Sequence, residues 1–133
     1  MNQTQATARV DELIRQTAAA VDPAPRLEAL AFSAVPNPCS YTEEGLPETT
    51  AISRAYWLRG IPKSRMMAVA QQVKTYWRQQ GHAITSTGGF EVGHPSIGGK
   101  STPDGYTLAL VWAEGDNLYL AATSPCVVPD PAQ

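Results

Sequence analysis

A chain of 133 residues, 43% hydrophobic and 17% charged, has the size and composition of one globular domain able to bury a core without metals or many crosslinks. Its formal charge of −2 argues against nucleic-acid binding through bulk charge, and no apolar run approaches the roughly 18 residues needed to cross a bilayer. The composition is that of a soluble domain.

Residues 1–8, polar and rich in Gln, Thr and Ala, read as a flexible leader, residues 9–129 as a single domain and residues 130–133 as a tail. The opening "MNQTQATARVDEL" has neither the basic start nor the apolar centre of a signal peptide, which leaves two readings: a cytosolic protein, or the mature part of an exported one. The first helix follows from Val10, Leu13, Ile14, Thr17, Ala18 and Val21, which recur at three- and four-residue spacing opposite Arg9, Glu12 and Arg15, and Pro23 and Pro25 stop it. "RLEALAFSAV" reads as a strand with helix as its alternative. "PNPCSYTEEGLPE" reads as a loop from its Pro, Asn and Gly content.

"TTAISRAYWLRGI", rich in β-branched and aromatic residues, is expected to be a second strand ended by Gly60 and Pro62. In "PKSRMMAVAQQVKTYWRQQG" the period changes: Met66, Val69, Ala70, Val73, Tyr76 and Trp77 make a helical apolar stripe, with Pro62 suited to its start and Gly81 to its end. From His82 onward a meander of three strands is expected. Its hairpin places Tyr106, Leu108, Leu110 and Trp112, then Leu118, Leu120 and Ala122, under the helices, and Thr107, Ala109, Val111, Tyr119, Ala121 and Thr123 on an opposite, moderately polar face open to a contact. The glycine-rich stretch from Gly88 to Gly105 reads as a loop within the domain. The sum is an α+β domain of order αββαβββ, an antiparallel sheet of four to five strands with two helices packed on one face.

Cys39 and Cys126 each follow a proline, in "NPC" and "SPC", and each sits where a predicted strand meets a loop. The residues favour a disulfide, which in the chain-entropy model would contribute about 4–5 kcal/mol. Two unpaired thiols are the alternative. A catalytic cysteine is disfavoured because neither residue opens a predicted helix or has a neighbouring histidine to activate it.

His82 and His94 have no second ligand at metal-binding spacing, so no metal or other cofactor is expected. "GGFEVGHPSIGGKS" lacks the first glycine of a phosphate-binding loop, whose place His94 takes, and leads into a strand-like run instead of a helix. No nucleophile elbow and no carboxylate pair is present, so catalysis is not expected. The three tryptophans, Trp57, Trp77 and Trp112, fit the core and its margin better than a ligand platform. Between Glu48 and Glu91 every charged residue is basic: Arg54, Arg59, Lys63, Arg65, Lys74 and Arg78. A solvated surface is the plain explanation. The other is a basic patch on an acidic protein, with Arg54, Arg59, Arg65 and Arg78 as the residues to meet a partner.

The succession "AYWLRGIP", "YWRQQGH" and "TPDGYTLALVWAEGDNLYLAATSPCVVP" resembles small exported lipoproteins of actinobacteria, over roughly Cys39 to Pro129. The resemblance implies a domain outside the cytoplasm, held to the membrane by a lipidated cysteine preceding the mature chain, with Cys39 and Cys126 paired. It implies no catalytic residues. Together these readings lead to the expectation of a non-catalytic cell-envelope domain that binds an envelope protein or an anionic polymer or lipid surface, through the outer sheet face or the arginines. An inhibitor or immunity protein for a secreted enzyme, and a small enzyme, are the alternatives.

Overall fold

The structure is a computed structural model, and it describes residues 2–30 and 37–129. The architecture is α+β. Helix α1 (Gln3–Ala19) is followed by strands β1 (Arg26–Ala29), β2 (Asn37–Tyr41), β3 (Pro47–Ala51) and β4 (Ser53–Arg59). Helix α2 (Met66–Gln79) and strands β5 (Ala83–Gly88), β6 (Ser96–Lys100), β7 (Thr107–Ala113) and β8 (Asn117–Thr123) complete it. Six strands make one fully antiparallel sheet in the order β1-β4-β8-β7-β6-β5, and β2 and β3 form a separate two-stranded ribbon.

Helix α1 starts earlier than expected. Asn2 and Gln5 form a capping box, each side chain accepting from the other's backbone N–H at 2.9 and 3.0 Å, and Ala6 is fully buried. The stretch read as a flexible leader is therefore helical from Gln3; the expected tail, 130–133, lies outside the described residues. The helix buries Val10, Leu13, Ile14, Thr17 and Ala18. Helix α2 buries Met66, Val69, Ala70, Val73 and Trp77, and Gly81, at φ 81°, turns the chain back toward β5.

Both helices pack on the sheet face that carries Leu58, Ile97, Leu108, Leu110, Leu118, Leu120 and Ala122. Register fixes this: Leu110 lies opposite both Leu120 and Ile97, and Leu108 opposite Ala122. The inward and outward residues of the β7–β8 hairpin are thus those the alternation predicts. At about 25 cal/mol per Å² of apolar surface removed from water, this two-layer core is the main stabilising term of the domain.

Three segments depart from the expectation. "SIGGK", placed in a loop, is strand β6. Its Gly99 lies so close beneath the Trp77 ring that an added Cβ would sit 3.2 Å from Trp77 Cε3, so the residue that hides the strand from pattern reading is the one that lets helix α2 settle on it. "PNPCSYTEEGLPE", also read as a loop, contains β2, a turn with Gly45 at φ 83° and the start of β3; Pro38 and Pro47 are accepted because the ribbon has a free edge and Pro47 opens its strand. "TTAISRAYWLRGI" is two strands. Ile52 separates them, its N–H donating to Ser124 Oγ at 2.8 Å and its carbonyl accepting from Ser124 N–H at 2.7 Å, and β3 continues into the ribbon. The expected strand over "RLEALAFSAV" is formed at Arg26–Ala29; residues 31–36 lie outside the described part.

Cys39 and Cys126 are bonded, with Cα atoms 6.1 Å apart and a sequence separation of 87. The bond ties β2 to the segment following β8. That segment also pairs with the ribbon through reciprocal Thr50–Val127 backbone hydrogen bonds of 2.8 and 2.7 Å. A small second core of Ala6, Ile52 and Val127 lies beneath.

Candidate functional site

With both helices on one face, the other face of the six-stranded sheet is covered by no helix among the described residues, and the register arranges its side chains in three rows across the strands. The middle row is small: Ala55 lies opposite Ala121, Ala121 opposite Ala109, and Ala109 opposite Gly98. On one side runs Trp57, Tyr119, Val111 and Ser96, and on the other Ser53, Thr123, Thr107 and Lys100. The result is a trough across four strands between an aromatic ridge and a row of hydroxyls. Ser53 and Thr123 share a hydrogen bond of 2.8 Å within that second row.

The ridge is held in place. Trp57 and Tyr119 meet edge to face with centroids 5.8 Å apart, and the Arg59 guanidinium lies 5.1 Å from the centre of the Trp57 ring. Arg59 is oriented by Glu28 at 2.7 Å and by Asn117 Oδ1 at 3.0 Å. Arg26 lies opposite Arg59, and Lys100 ends the hydroxyl row. Among the described strand residues of this face, the three cations Arg26, Arg59 and Lys100 stand against one carboxylate, Glu28, which Arg59 already pairs, although the whole chain is acidic.

The four arginines singled out in the sequence do not converge. Arg54 is on the helix-side face, opposite Ala122, with its Nε 3.6 Å from Asp11 Oδ1. Arg59, five residues on, is on the open face. Arg65 precedes α2 and donates to the Asp22 carbonyl at 3.1 Å, and Arg78 lies exposed in the last turn of α2. Lys63 pairs with Asp116 at 3.3 Å. Arg59 alone of the four belongs to the open face. Arg26 and Lys100, which sequence reading passed over, join it there through strand register.

A second polar cluster fastens α1 to the turn between β6 and β7. Arg9 Nε donates to Asp104 Oδ2 at 2.8 Å and its NH1 group to Glu12, while Ser101 Oγ donates to Asp104 and accepts from Tyr106 N–H at 2.9 Å. Burial alone would raise the Asp104 carboxyl, but hydrogen bonds from Ser101 and Arg9 and the charge of Arg9 outweigh it and hold the pKa below the usual value. His82 Nδ1 accepts the Thr102 N–H at 3.3 Å; its pKa is lowered by burial first and by the Arg9 charge second, against the opposing pull of Asp104. Ser101 is almost fully buried and both its bonds are committed, so the cluster is built as a clamp and presents no free nucleophile.

His94 stacks on Trp112, rings 3.7 Å apart and nearly parallel. Among the described residues no three His, Cys, Asp or Glu side chains come together as a metal site, and no helix is long and apolar enough to cross a membrane. Comparison with family models, with curated proteins and with solved structures finds no match for the chain.

Proposed function

We propose that this chain is a non-catalytic domain of the cell envelope that binds an anionic partner, an envelope protein or polymer, on its open sheet face. The observation that carries the reading is the face itself: a trough of small residues, a fixed Trp57–Tyr119 ridge and an excess of cations on an acidic protein. The disulfide between Cys39 and Cys126 supports a location outside the reducing cytoplasm. The resemblance to exported lipoproteins supports the same location and a membrane anchor upstream of the domain.

Photo-crosslinking in source cells tests the reading. A crosslinker placed at Val111 or Thr107, on the open face, is expected to trap a defined partner, and one at Arg15 or Gln71, on the helix side, is not. Combined Arg26→Glu and Lys100→Glu reversal should abolish the trapped product. Equal labelling from both faces, or labelling indifferent to the reversal, would sink the reading.

A further inference from the structure

The molecule carries a second surface whose chemistry is the complement of the first. The turn of the β2–β3 ribbon, from Glu43 to Glu48, is exposed throughout. Tyr41 and Leu46 on the ribbon, and Val128 in the segment paired with it, are three of the four large apolar side chains exposed among the described residues, at 59%, 63% and 55%. Glu43, Glu44 and Glu48 surround them, and among the described residues none of these carboxylates has an ion-pair partner. Between Pro38, Pro47, Pro129, Gln3 and Thr50 lies a cavity of about 330 Å³, and Thr50 Oγ1, itself buried, has no hydrogen-bond partner among the described residues. A buried hydroxyl without a partner is a cost that a docked group can relieve.

An acidic, apolar ribbon is what the open face would accept, with a trough of small residues for its apolar side chains, Arg26 and Arg59 beyond the Trp57–Tyr119 ridge and Lys100 at the end of the hydroxyl row. Both are held ready in the isolated chain, the ribbon by the Cys39–Cys126 bond and the ridge by Arg59 and its partners. The geometry points to a second copy of this chain as the occupant: the ribbon of one molecule lies on the open sheet face of another, and a two-fold pair makes the contact twice. This rests on the proposed role of the open face as a binding surface and names its partner. Each of the two contacts is only one ribbon on one sheet face, so the association should be weak in dilute solution and should tighten where an anchor concentrates the chains on a membrane.

Sedimentation of the oxidised chain from micromolar to near-millimolar concentration decides the matter. A monomer–dimer equilibrium that weakens as salt rises is expected. Reversal of the ribbon, Glu43→Lys, Glu44→Lys and Glu48→Lys together, should weaken it at least ~10-fold, and so should reversal of the face, Arg26→Glu with Lys100→Glu. All five side chains are exposed, and unchanged thermal unfolding of each variant would confirm that its fold is intact. The sharpest arm mixes the two variants. A basic ribbon then meets an acidic face in one contact and an acidic ribbon meets a basic face in the other, so the mixture should associate where neither variant does alone. A monomer at every concentration, association indifferent to either reversal, or no recovery on mixing would each overturn the inference. A monomeric chain that still crosslinks through Val111 to another molecule would overturn it while leaving the binding role of the face in place.

Discussion

Trp77 Nε1 donates a hydrogen bond of 2.9 Å to Thr17 Oγ1 in the seam where the two helices meet above the sheet. Both side chains are buried, Trp77 completely. The Thr17 hydroxyl in turn donates to the Leu13 carbonyl at 2.8 Å, so one small polar group satisfies the indole and returns its own proton to the helix. Thr17→Val keeps the shape and strands the indole N–H, at a cost of about 1–3 kcal/mol. Trp77→Phe removes the donor and leaves a gap. Because the two changes share one bond, the double variant should lose less than the sum of the singles. Urea unfolding of the four proteins measures the coupling, and strict additivity would show that the bond contributes nothing.

Removing the Cys39–Cys126 bond acts in two places. Closing a loop across 87 residues restricts the unfolded chain, so the Cys39→Ser and Cys126→Ser pair should be about 2–5 kcal/mol less stable. In the folded protein the loss should be felt first at the ribbon, whose other ties are the Thr50–Val127 hydrogen bonds and the small core of Ala6, Ile52 and Val127. Amide exchange at Thr50 and Val127 should quicken well before exchange at Leu110 or Leu120 in the main sheet. Uniform quickening at all four amides would show the ribbon to be no separate unit.

The pH dependence has a definite sign. His82 titrates below its ordinary value of 6.5 in the fold, so above that pH its neutral form is common to both states and its share of stability is complete. As pH falls below 6.5 the unfolded chain takes up the proton first, and stability declines until the folded pKa is passed. Asp104, also held low, gives a second decline in the same direction below 3.8, as its carboxylate is lost. His82→Gln should remove the first decline and spare the second. Thermal unfolding followed from pH 8 to pH 3 separates them, and a first decline that persists in the variant would assign it elsewhere.

What could be read from the residues was whatever large side chains record. Helix α2 shows its stripe from Met66 to Trp77, and the β7–β8 hairpin shows alternation from Leu108 to Leu120, because each inward position bears an apolar group. Strand β6 has Gly98 and Gly99 in its middle and shows no alternation there, although Gly99 lies close beneath the Trp77 ring. The ribbon was masked by its prolines. The capping box at Asn2 and Gln5 was in plain view in a stretch whose polarity suggested a leader. For the site, the separation of Arg54 from Arg59 was legible, since an odd spacing on one strand puts two residues on opposite faces. The joining of Arg26 and Lys100 to Arg59 was not, because it depends on β1 pairing with β4 and on β6 lying three places from β4, in a sheet whose order the chain does not follow.

Two glycines that both have positive φ should respond very differently to a methyl group. Gly45, at φ 83°, turns the ribbon with nothing within 4 Å of where a Cβ would be, so Gly45→Ala meets only the backbone penalty, about 1 kcal/mol. Gly89, at φ 71°, folds the chain so tightly that a Cβ would lie 1.9 Å from the His94 carbonyl oxygen. That oxygen belongs to the backbone and cannot rotate away, and the loop holds His94 against Trp112. Gly89→Ala must therefore open the turn, breaking the Gly89 carbonyl's bonds to the Val92 and His94 N–H groups and pulling His94 off the indole. A loss of about 3 kcal/mol or more is expected, with a change in tryptophan emission that Gly45→Ala does not produce. Equal losses would mean that the φ angle, and not the contact with His94, governs both positions.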